Sequence, residues 1–315
     1  MTPRAIPGPT GPRVVGRPGG TSVAFEAVVK TYGPVRALDR ASFTVAAGET
    51  VALLGPNGAG KSTAIGCMLG LRRQDSGLVQ VLGDRPTAAI ALGRIGAMLQ
   101  ESGLPAGVTV AEVVDCLRRF YSMPVPLDEL LRRAGIEEIR GQRVERLTGG
   151  QQQRVRFALA IAGDPDLVFL DEPTVGMDVE TRRAFWDQMH AFAGDGRTVL
   201  FATHYLDEAD AVADRVLVLN HGRVVADGSA GAIKSGVSSR SVRFTLAGAD
   251  AAVLARLPGV SRLTLHGDDV RLTTGDADAT VRALYAAGLA VRDLEVTGVG
   301  LEDAFLALTN DGATA

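Results

Sequence analysis

The segment GPNGAGKST (55–63) combines residue types that together can bind phosphate. It places one of only three lysines, Lys61, after a run of glycines and before two hydroxyl side chains. Glycines let backbone N–H groups fold around phosphate oxygens, the lysine reaches the β- and γ-phosphates, and the serine hydroxyl ligates Mg²⁺. The segment predicts a P-loop, with an ordinary glycine-rich turn as the alternative. The predicted nucleotide contacts are Gly55, Asn57, Gly58, Gly60, Lys61, Ser62 and Thr63.

Two neighbouring acids follow an apolar run in LVFLDEP (167–173). The carboxyl end of a strand in a parallel sheet faces the nucleotide. We therefore expect Asp171 to hold Mg²⁺ through water, and Glu172 to orient and deprotonate the attacking water. Two carboxylates with different duties favour hydrolysis over transfer to a second substrate. Taken alone, the pair is equally compatible with an acidic loop after a strand.

A second candidate anion site is LTGGQ (147–151), directly before a predicted helix. The backbone N–H groups and the helix dipole at Thr148, Gly149, Gly150 and Gln151 would attract an anion. The alternative is a simple helix start with Thr148 as the N-cap. One ATP does not need two such sites from one chain. The pair therefore indicates that the second site closes on an ATP held by another subunit.

These residues require a sheet and helices that bring them to one edge. Strands that alternate with helices along most of the chain predict a parallel α/β sheet. Residues 111–146 show helical spacing, broken by Pro124 and Pro126. The strands are predicted over 22–28, 41–47, 50–55, 78–82, 94–99, 167–170 and 198–203, with a hairpin over 215–219 and 223–227, and helices over 64–71, 151–163 and 179–193.

The pattern restarts after about residue 236. Strand, helix, strand, strand, helix and strand follow in the order of a split β-α-β, ferredoxin-like arrangement, with a short helix over 301–309 at the end. We expect a small α+β accessory domain that serves dimer contact or regulation, or simple packing support. The predicted organisation is a flexible tail over 1–20, a nucleotide-binding domain over 21–235, the accessory domain over 236–310 and a tail over 311–315.

Composition limits the possible classes of protein. The 315 residues are 46% hydrophobic and carry a net charge of −3, which excludes wholesale disorder and gives no global electrostatic case for binding nucleic acid. No apolar run approaches the roughly 18–20 residues that cross a bilayer, so we expect no direct membrane span. Any work at a membrane would need another polypeptide. Two distant cysteines, Cys67 and Cys116, predict no disulfide framework and suit a reducing cytosol.

Together the motifs resemble those of the ABC ATPases. Walker A is GPNGAGKST, the signature is LTGGQQQRV and Walker B is LVFLDEP. The D-loop is VGMD (175–178), and the switch is Thr203–His204, all in the family's order over about residues 23–230. The signature has Thr148 where serine is usual, which keeps the hydroxyl. THYLDEAD (203–210), VLNHGRVVADG (218–228) and LEDAFLALT (301–309) resemble the ATP-binding subunits of the bacterial daunorubicin-resistance type of exporter.

The resemblance assigns roles to four further residues. Tyr32 would stack on adenine, Gln100 would contact Mg²⁺ or water, His204 would contact the γ-phosphate, and Asp178 would link two sites. Without the resemblance these are a strand-end tyrosine, a solvated amide, a structural histidine and an N-cap. The implied catalytic set is Glu172, His204 and Gln100, and the implied metal set is Ser62, Gln100 and Asp171.

The resemblance also implies the fold and the function. It implies a P-loop nucleotide-binding domain with antiparallel β and helical subdomains. Such a chain binds ATP and Mg²⁺, forms a head-to-tail homodimer around two ATPs and hydrolyses them. It would power a separately encoded integral membrane permease at the cytoplasmic face of the membrane, exporting a drug, antibiotic or other hydrophobic compound. The alternative is a soluble ABC ATPase that acts on ribosomes or nucleic acid.

Overall fold

The computed structural model describes residues 20–100, 103–236, 240–298 and 300–310. The chain divides into two compact units, Met1–Asp227 and Gly228–Ala315. The tails predicted over 1–20 and 311–315 lie outside the described residues, apart from Gly20. None of the helices in the described ranges is long and apolar enough to cross a membrane.

The first unit contains two sheets. A six-stranded sheet has the order β5-β6-β7-β3-β8-β9, with parallel pairing from β5 to β8, and a three-stranded antiparallel sheet has the order β2-β1-β4. The strands are β1 (Thr21–Tyr32), β2 (Val35–Ala46), β3 (Thr50–Leu54), β4 (Ser76–Val81), β5 (Ile95–Met98), β6 (Leu167–Asp171), β7 (Thr198–Thr203), β8 (Arg215–Asn220) and β9 (Arg223–Gly228).

The parallel strands predicted from short apolar runs are confirmed. Every residue of β3, β6 and β7 is buried, because strands in a sheet covered on both faces need apolar side chains on both sides. The hairpin of β1 and β2 is longer than predicted, reaching the pair Tyr32 and Val35 at its tip. Those tip residues are exposed and belong to the strands only through backbone pairing. An alternation of apolar and polar residues therefore could not predict that the strands extend to them.

Seven helices of at least six residues surround the sheets in the described part of the first unit. Helices α1 and α5 begin earlier than the ranges predicted for them, so residues 61–63 and 149–150 lie in their first turns. The start of α5 after Thr148 confirms the alternative in which that residue is the N-cap. The helices are α1 (Lys61–Met68), α2 (Pro86–Ala91), α3 (Val110–Arg118), α4 (Leu127–Arg133), α5 (Gly149–Ile161), α6 (Val179–Ala193) and α7 (Leu206–Val212).

The segment between β5 and β6 is helical in its described part, as predicted. α3 and α4 pack against α5, and Pro124 and Pro126 lie in the break between them. Two single turns of 3₁₀ helix follow at Glu137–Ile139 and Val144–Arg146. This helical layer therefore adjoins the helix that carries the second candidate anion site.

The second unit has its own sheet and its own core. Its strand order β11-β12-β10-β13, with antiparallel pairing throughout, is that of the split β-α-β arrangement. Phe244, Leu272 and Leu284 are buried between the sheet and its helices. Its elements are α8 (Ala230–Gly236), β10 (Arg240–Thr245), α9 (Ala251–Leu254), β11 (Val260–His266), β12 (Asp269–Thr274), α10 (Ala277–Ala286), β13 (Arg292–Gly298) and α11 (Leu301–Asn310).

The division between the units falls before α8, whereas the sequence placed a boundary after residue 235. The helix α8 packs against α11, which explains why it belongs to the second unit. The helix α9 is a single turn, Ala251–Leu254, and Pro258 follows it before β11.

Candidate nucleotide-binding site

An open cleft of about 610 Å³ lies at the carboxyl ends of the parallel strands. The P-loop follows β3, Glu172 follows β6 and His204 follows β7, so the parallel pairing brings them to one edge. Tyr32 and Gln100 complete the wall. The predicted residues that line the cleft are Tyr32, Asn57, Gly58, Gly60, Lys61, Ser62, Thr63, Gln100, Glu172 and His204.

Two loop positions admit only glycine because of close backbone approach. A Cβ at Gly55 would lie 2.4 Å from the carbonyl oxygen of Leu219. A Cβ at Gly60 would lie 2.3 Å from the carbonyl oxygen of Ala37, and Gly60 has a φ of 108°. The loop is therefore held between β2 and β8, and Gly60 starts α1 from the left-handed region.

The Lys61 ammonium is buried at the base of the loop. It donates to the carbonyl oxygens of Gly55 at 2.6 Å and Pro56 at 3.4 Å. It also lies 3.9 Å from Oε1 of Glu172. Burial lowers the pKa of Lys61, and the charges of Glu172 and Asp171 oppose that shift. The cation is thus positioned between the loop and the acidic pair.

Asp171 fits the metal role that the sequence predicted for it. Burial raises the pKa of Asp171, while a hydrogen bond from Ser62 and the charge of Lys61 act in the opposite direction. Its Oδ1 is buried and accepts no hydrogen bond from the described residues. An unsatisfied carboxylate oxygen beside a serine hydroxyl suits Mg²⁺, which prefers oxygen ligands and is usually bound by few protein groups plus phosphates. Among the described residues, no group of three or more His, Cys, Asp or Glu side chains could hold a metal ion.

Glu172 joins three parts of the site. It has a φ of 50°, in the left-handed region, and its N–H donates to the carbonyl of Ala202 on β7. Its Oε2 lies 2.7 Å from Nδ1 of His204, and its Oε1 faces Lys61. A strained backbone that is held by the sheet is a common feature of functional positions. The histidine ring is 46% exposed, so it remains open to a ligand in the cleft.

Tyr32 presents a half-exposed ring at the tip of the β1–β2 hairpin. The Arg72 guanidinium donates to its hydroxyl at 2.6 Å. The Lys30 ammonium lies 5.4 Å from the ring centroid. The ring is fixed in orientation and lines the cleft, as stacking on a base requires.

The signature residues and Asp178 are not among the residues described as lining this cleft. Thr148 caps α5 in a capping box with Gln151, and Asp178 caps α6 by accepting from the N–H of Thr181 at 2.8 Å. A Cβ at Gly149 would lie 3.5 Å from the carbonyl oxygen of Gly176, and one at Gly150 would lie 2.9 Å from Cγ2 of Thr181. The two helix starts therefore lie side by side.

Sequence reasoning missed apolar and buried members of the site. Val35, Ala37 and Val175 line the cleft but carry no chemistry that a motif search could detect. Glu208 is 4% exposed, and no role was predicted for it although it lies within THYLDEAD. The sequence signal for its burial was that Glu208 lies on the same short helix as the apolar residues Ala209 and Val212, which are also buried.

Sequence comparisons match this chain to transporter subunits over almost its full length. A family model described as ABC transporter matches residues 38–175. The daunorubicin/doxorubicin resistance ATP-binding protein of Streptomyces peucetius is 35% identical over 308 residues, covering 93% of this chain and 93% of that protein. A Nod factor export ATP-binding protein I of Rhizobium sp. (strain N33) is 34% identical, covering 91% of this chain and 97% of that protein.

Structural comparison agrees with this result. An ATP-binding subunit of an ABC transporter superposes with a TM-score of 0.62 at 26% identity, covering 69% of this chain and 93% of that structure. A dimeric ATP-binding cassette in a post-hydrolysis state with ADP and Pi superposes with a TM-score of 0.60 at 28% identity, covering 66% of this chain and 98% of that structure. The fold, the cleft and the relatives agree: the chain belongs to the ATP-binding subunits of ABC transporters and is an ATPase.

Proposed function

We propose that this chain is the ATP-hydrolysing subunit of an exporter, acting as a homodimer on a separately encoded integral membrane permease. The observation that carries the proposal is the separation of two anion-binding elements. The P-loop lines the cleft, while Thr148 and Gly149 are exposed beside the D-loop and outside the cleft lining. A second copy in head-to-tail orientation gives the signature an ATP to contact.

Nucleotide binding would rest on groups that line the cleft. The loop N–H groups and Lys61 would hold the phosphates, and Tyr32 would stack on adenine. Asp171 and Ser62 would hold Mg²⁺, with Gln100 at the rim of the cleft. Held by these residues, Mg²⁺ would supply positive charge that offsets the negative charge developing on the phosphates during hydrolysis.

The hydrolytic step assigns different roles to Glu172 and His204. Glu172 orients a water and accepts its proton, as the oxygen of that water bonds to the γ-phosphorus and the bond to ADP breaks. His204 contacts the γ-phosphate. Because His204 Nδ1 lies 2.7 Å from Glu172 in the structure, the same contact keeps the carboxylate oriented toward the cleft. Phosphate leaves, and the proton returns to solvent.

ATP then acts as a switch for the assembly. Two ATPs between the P-loop of one copy and the signature of the other would close the dimer, and phosphate loss would open it. The relatives named for daunorubicin resistance and Nod factor export support export of a drug, antibiotic or other hydrophobic compound. The working location is the cytoplasmic face of the membrane, reached through the permease.

The dimer is tested with Glu172→Gln, which should bind ATP yet hydrolyse it at least about 10²-fold more slowly, since the general base is lost. We expect a dimer in Mg-ATP and a monomer in ADP by sizing with light scattering. Adding Gly149→Glu to this variant should keep ATP binding and prevent dimerisation by placing a carboxylate at the signature. A monomeric Glu172→Gln protein that is saturated with Mg-ATP would contradict the proposal.

The permease is tested by tagging Glu172→Gln in the native host and solubilising membranes in Mg-ATP. A stoichiometric multi-span membrane protein should co-purify with it. Recovery only from the soluble fraction, together with ribosomal or DNA-associated partners, would instead support the alternative ABC ATPase. The double variant Glu172→Gln/Gly149→Glu is the matched control. It shows whether retention of the membrane protein depends on the closed dimer.

A further inference from the structure

Glu208 on α7 is a buried carboxylate for which the hydrolytic mechanism has no use. It is 4% exposed. Its Oε1 accepts a hydrogen bond from Oγ1 of Thr174 at 2.6 Å, and its Oε2 accepts one from Oγ1 of Thr203 at 3.0 Å. Thr174 lies two residues after Glu172, and Thr203 immediately precedes His204. One side chain thus holds both loops that carry the hydrolytic groups.

The same carboxylate is joined to α6. The Nε of Arg182 lies 3.4 Å from Oε1 of Glu208, and the Arg182 guanidinium lies 4.4 Å from the ring centroid of Tyr205. The indole of Trp186, also on α6, lies close enough to lower the pKa of Glu208, although its N–H falls short of good hydrogen-bond geometry. Helix α6 is the element whose N-terminus is capped by Asp178.

A charge in this position is costly. Burial raises the pKa of Glu208, while the hydrogen bonds from Thr174 and Thr203, the nearby Trp186 indole and the charge of Arg182 oppose the shift. A buried ion pair is often no more stabilising than apolar side chains of similar volume. Packing alone therefore does not explain a carboxylate here. The carboxylate instead links three separate parts of the chain: the loop after β6, the end of β7 and helix α6.

We propose that Glu208 is a positioning residue that couples the hydrolytic loops of one cleft to helix α6 and its D-loop. This inference rests on the proposed function, because the D-loop of α6 lies beside the signature that would face the second ATP. A ligand that moves His204 or Glu172 also moves Thr203 or Thr174. Through the shared carboxylate, that displacement reaches Arg182 and the start of α6.

Glu208→Gln tests the coupling, because it keeps the shape of the side chain and removes the charge. We expect the ATP dissociation constant to stay within about twofold. The kcat should fall about tenfold or more, and the Hill coefficient for ATP should fall toward 1. Thr174→Val, which removes one hydroxyl and keeps the volume, should change the same quantities in the same direction and serves if Glu208→Gln folds poorly.

Trp186 supplies a readout that a merely structural role would not affect. It is the only tryptophan of the chain and lies within this cluster. In the Glu172→Gln protein, Mg-ATP should change the emission of Trp186. In the double variant with Glu208→Gln, ATP should still bind, and the change in emission should be lost.

Asp164→Asn is the matched control. Asp164 is also a buried carboxylate, paired with Arg133 at 3.0 Å and Arg197 at 2.5 Å, but it precedes β6 and so lies at the opposite end of the strand. Its loss should lower the unfolding midpoint and leave kcat and the Hill coefficient unchanged. If Glu208→Gln behaves in the same way and keeps the emission change, the coupling is overturned. A wild-type protein that hydrolyses ATP without cooperativity would overturn the proposed dimer, and the coupling with it.

Discussion

At the scale of single residues, the acidic pair after β6 shows how their partners distinguish two buried carboxylates. Asp171 has a raised pKa and an oxygen without a hydrogen bond from the described residues. Glu172, its neighbour, is held by Lys61 and His204. The first carboxylate therefore needs a cation to satisfy it, whereas the second is already oriented by a hydrogen bond.

Asp171 should make the stability of the metal-free protein depend on pH in a defined direction. Its folded pKa lies above its unfolded pKa, so the folded state binds the extra proton between those values. The free energy of unfolding then falls as pH rises through the raised pKa. In EDTA at pH 8, Asp171→Asn should raise the free energy of unfolding by about 1 kcal/mol and should abolish Mg²⁺-dependent hydrolysis.

The measurement is urea unfolding at pH 5 and pH 8 in EDTA. Asp75→Asn is the control with the opposite sign, because hydrogen bonds from Lys30 and Thr31 lower the pKa of Asp75 to about 2. That variant should lose stability at both pH values. A destabilised Asp171→Asn protein at pH 8 in EDTA would refute the assignment.

Tyr32 should contribute to nucleotide affinity through its ring. Tyr32→Ala should weaken ATP binding about tenfold, in line with the roughly 1–3 kcal/mol of base–aromatic stacking. Tyr32→Phe keeps the ring and loses only the hydrogen bond from Arg72, so its affinity should stay within about threefold. Titration with a fluorescent ATP analogue measures both, and equal losses for the two variants would exclude stacking as the cause.

At the scale of elements, the parallel strands and the start of α6 after its N-cap Asp178 were predictable, whereas the start of α1 was not. The runs that became β3, β6 and β7 are apolar because both faces of the sheet are covered, and that information is local. The start of α1 at Lys61 depends on Gly60 in the left-handed region under Ala37, a contact between distant residues. The lengths of the hairpin strands and the role of Glu208 likewise depend on partners far along the chain.

The helix α5 crosses β5 with almost no clearance. A Cβ at Gly96 would lie 2.1 Å from the carbonyl oxygen of Ala160. Gly96→Ala should therefore cost about 1–3 kcal/mol by overpacking and displace the helix that begins with the signature. We expect kcat to fall more than ATP affinity does. The control is Gly141→Ala, where a Cβ meets no atom within 4 Å, and equal effects of the two variants would contradict this packing.

At the scale of the whole molecule, the two units have separate cores, and the described cleft residues belong to the first. Nucleotide binding should therefore raise the midpoint of one thermal transition and leave the other unchanged. Leu272→Ala, in the core of the second unit, should lower the free energy of unfolding of that unit alone, by about 2–5 kcal/mol. Calorimetry with and without Mg-ATP measures both effects. A single thermal transition that shifts both with Mg-ATP and with Leu272→Ala would contradict independent unfolding of the two units.

The Lys61 ammonium also bears on which ligands the cleft accepts. Its hydrogen bonds to the carbonyls of Gly55 and Pro56 make the loop an intramolecular competitor for its own cation. A phosphate that draws the ammonium away from these carbonyls loses those hydrogen bonds as it gains new ones. A small anion with few other contacts gains little from that exchange, whereas a triphosphate that contacts the full length of the loop gains much. We therefore expect the loop to discriminate by the length of the polyphosphate and to bind free phosphate weakly.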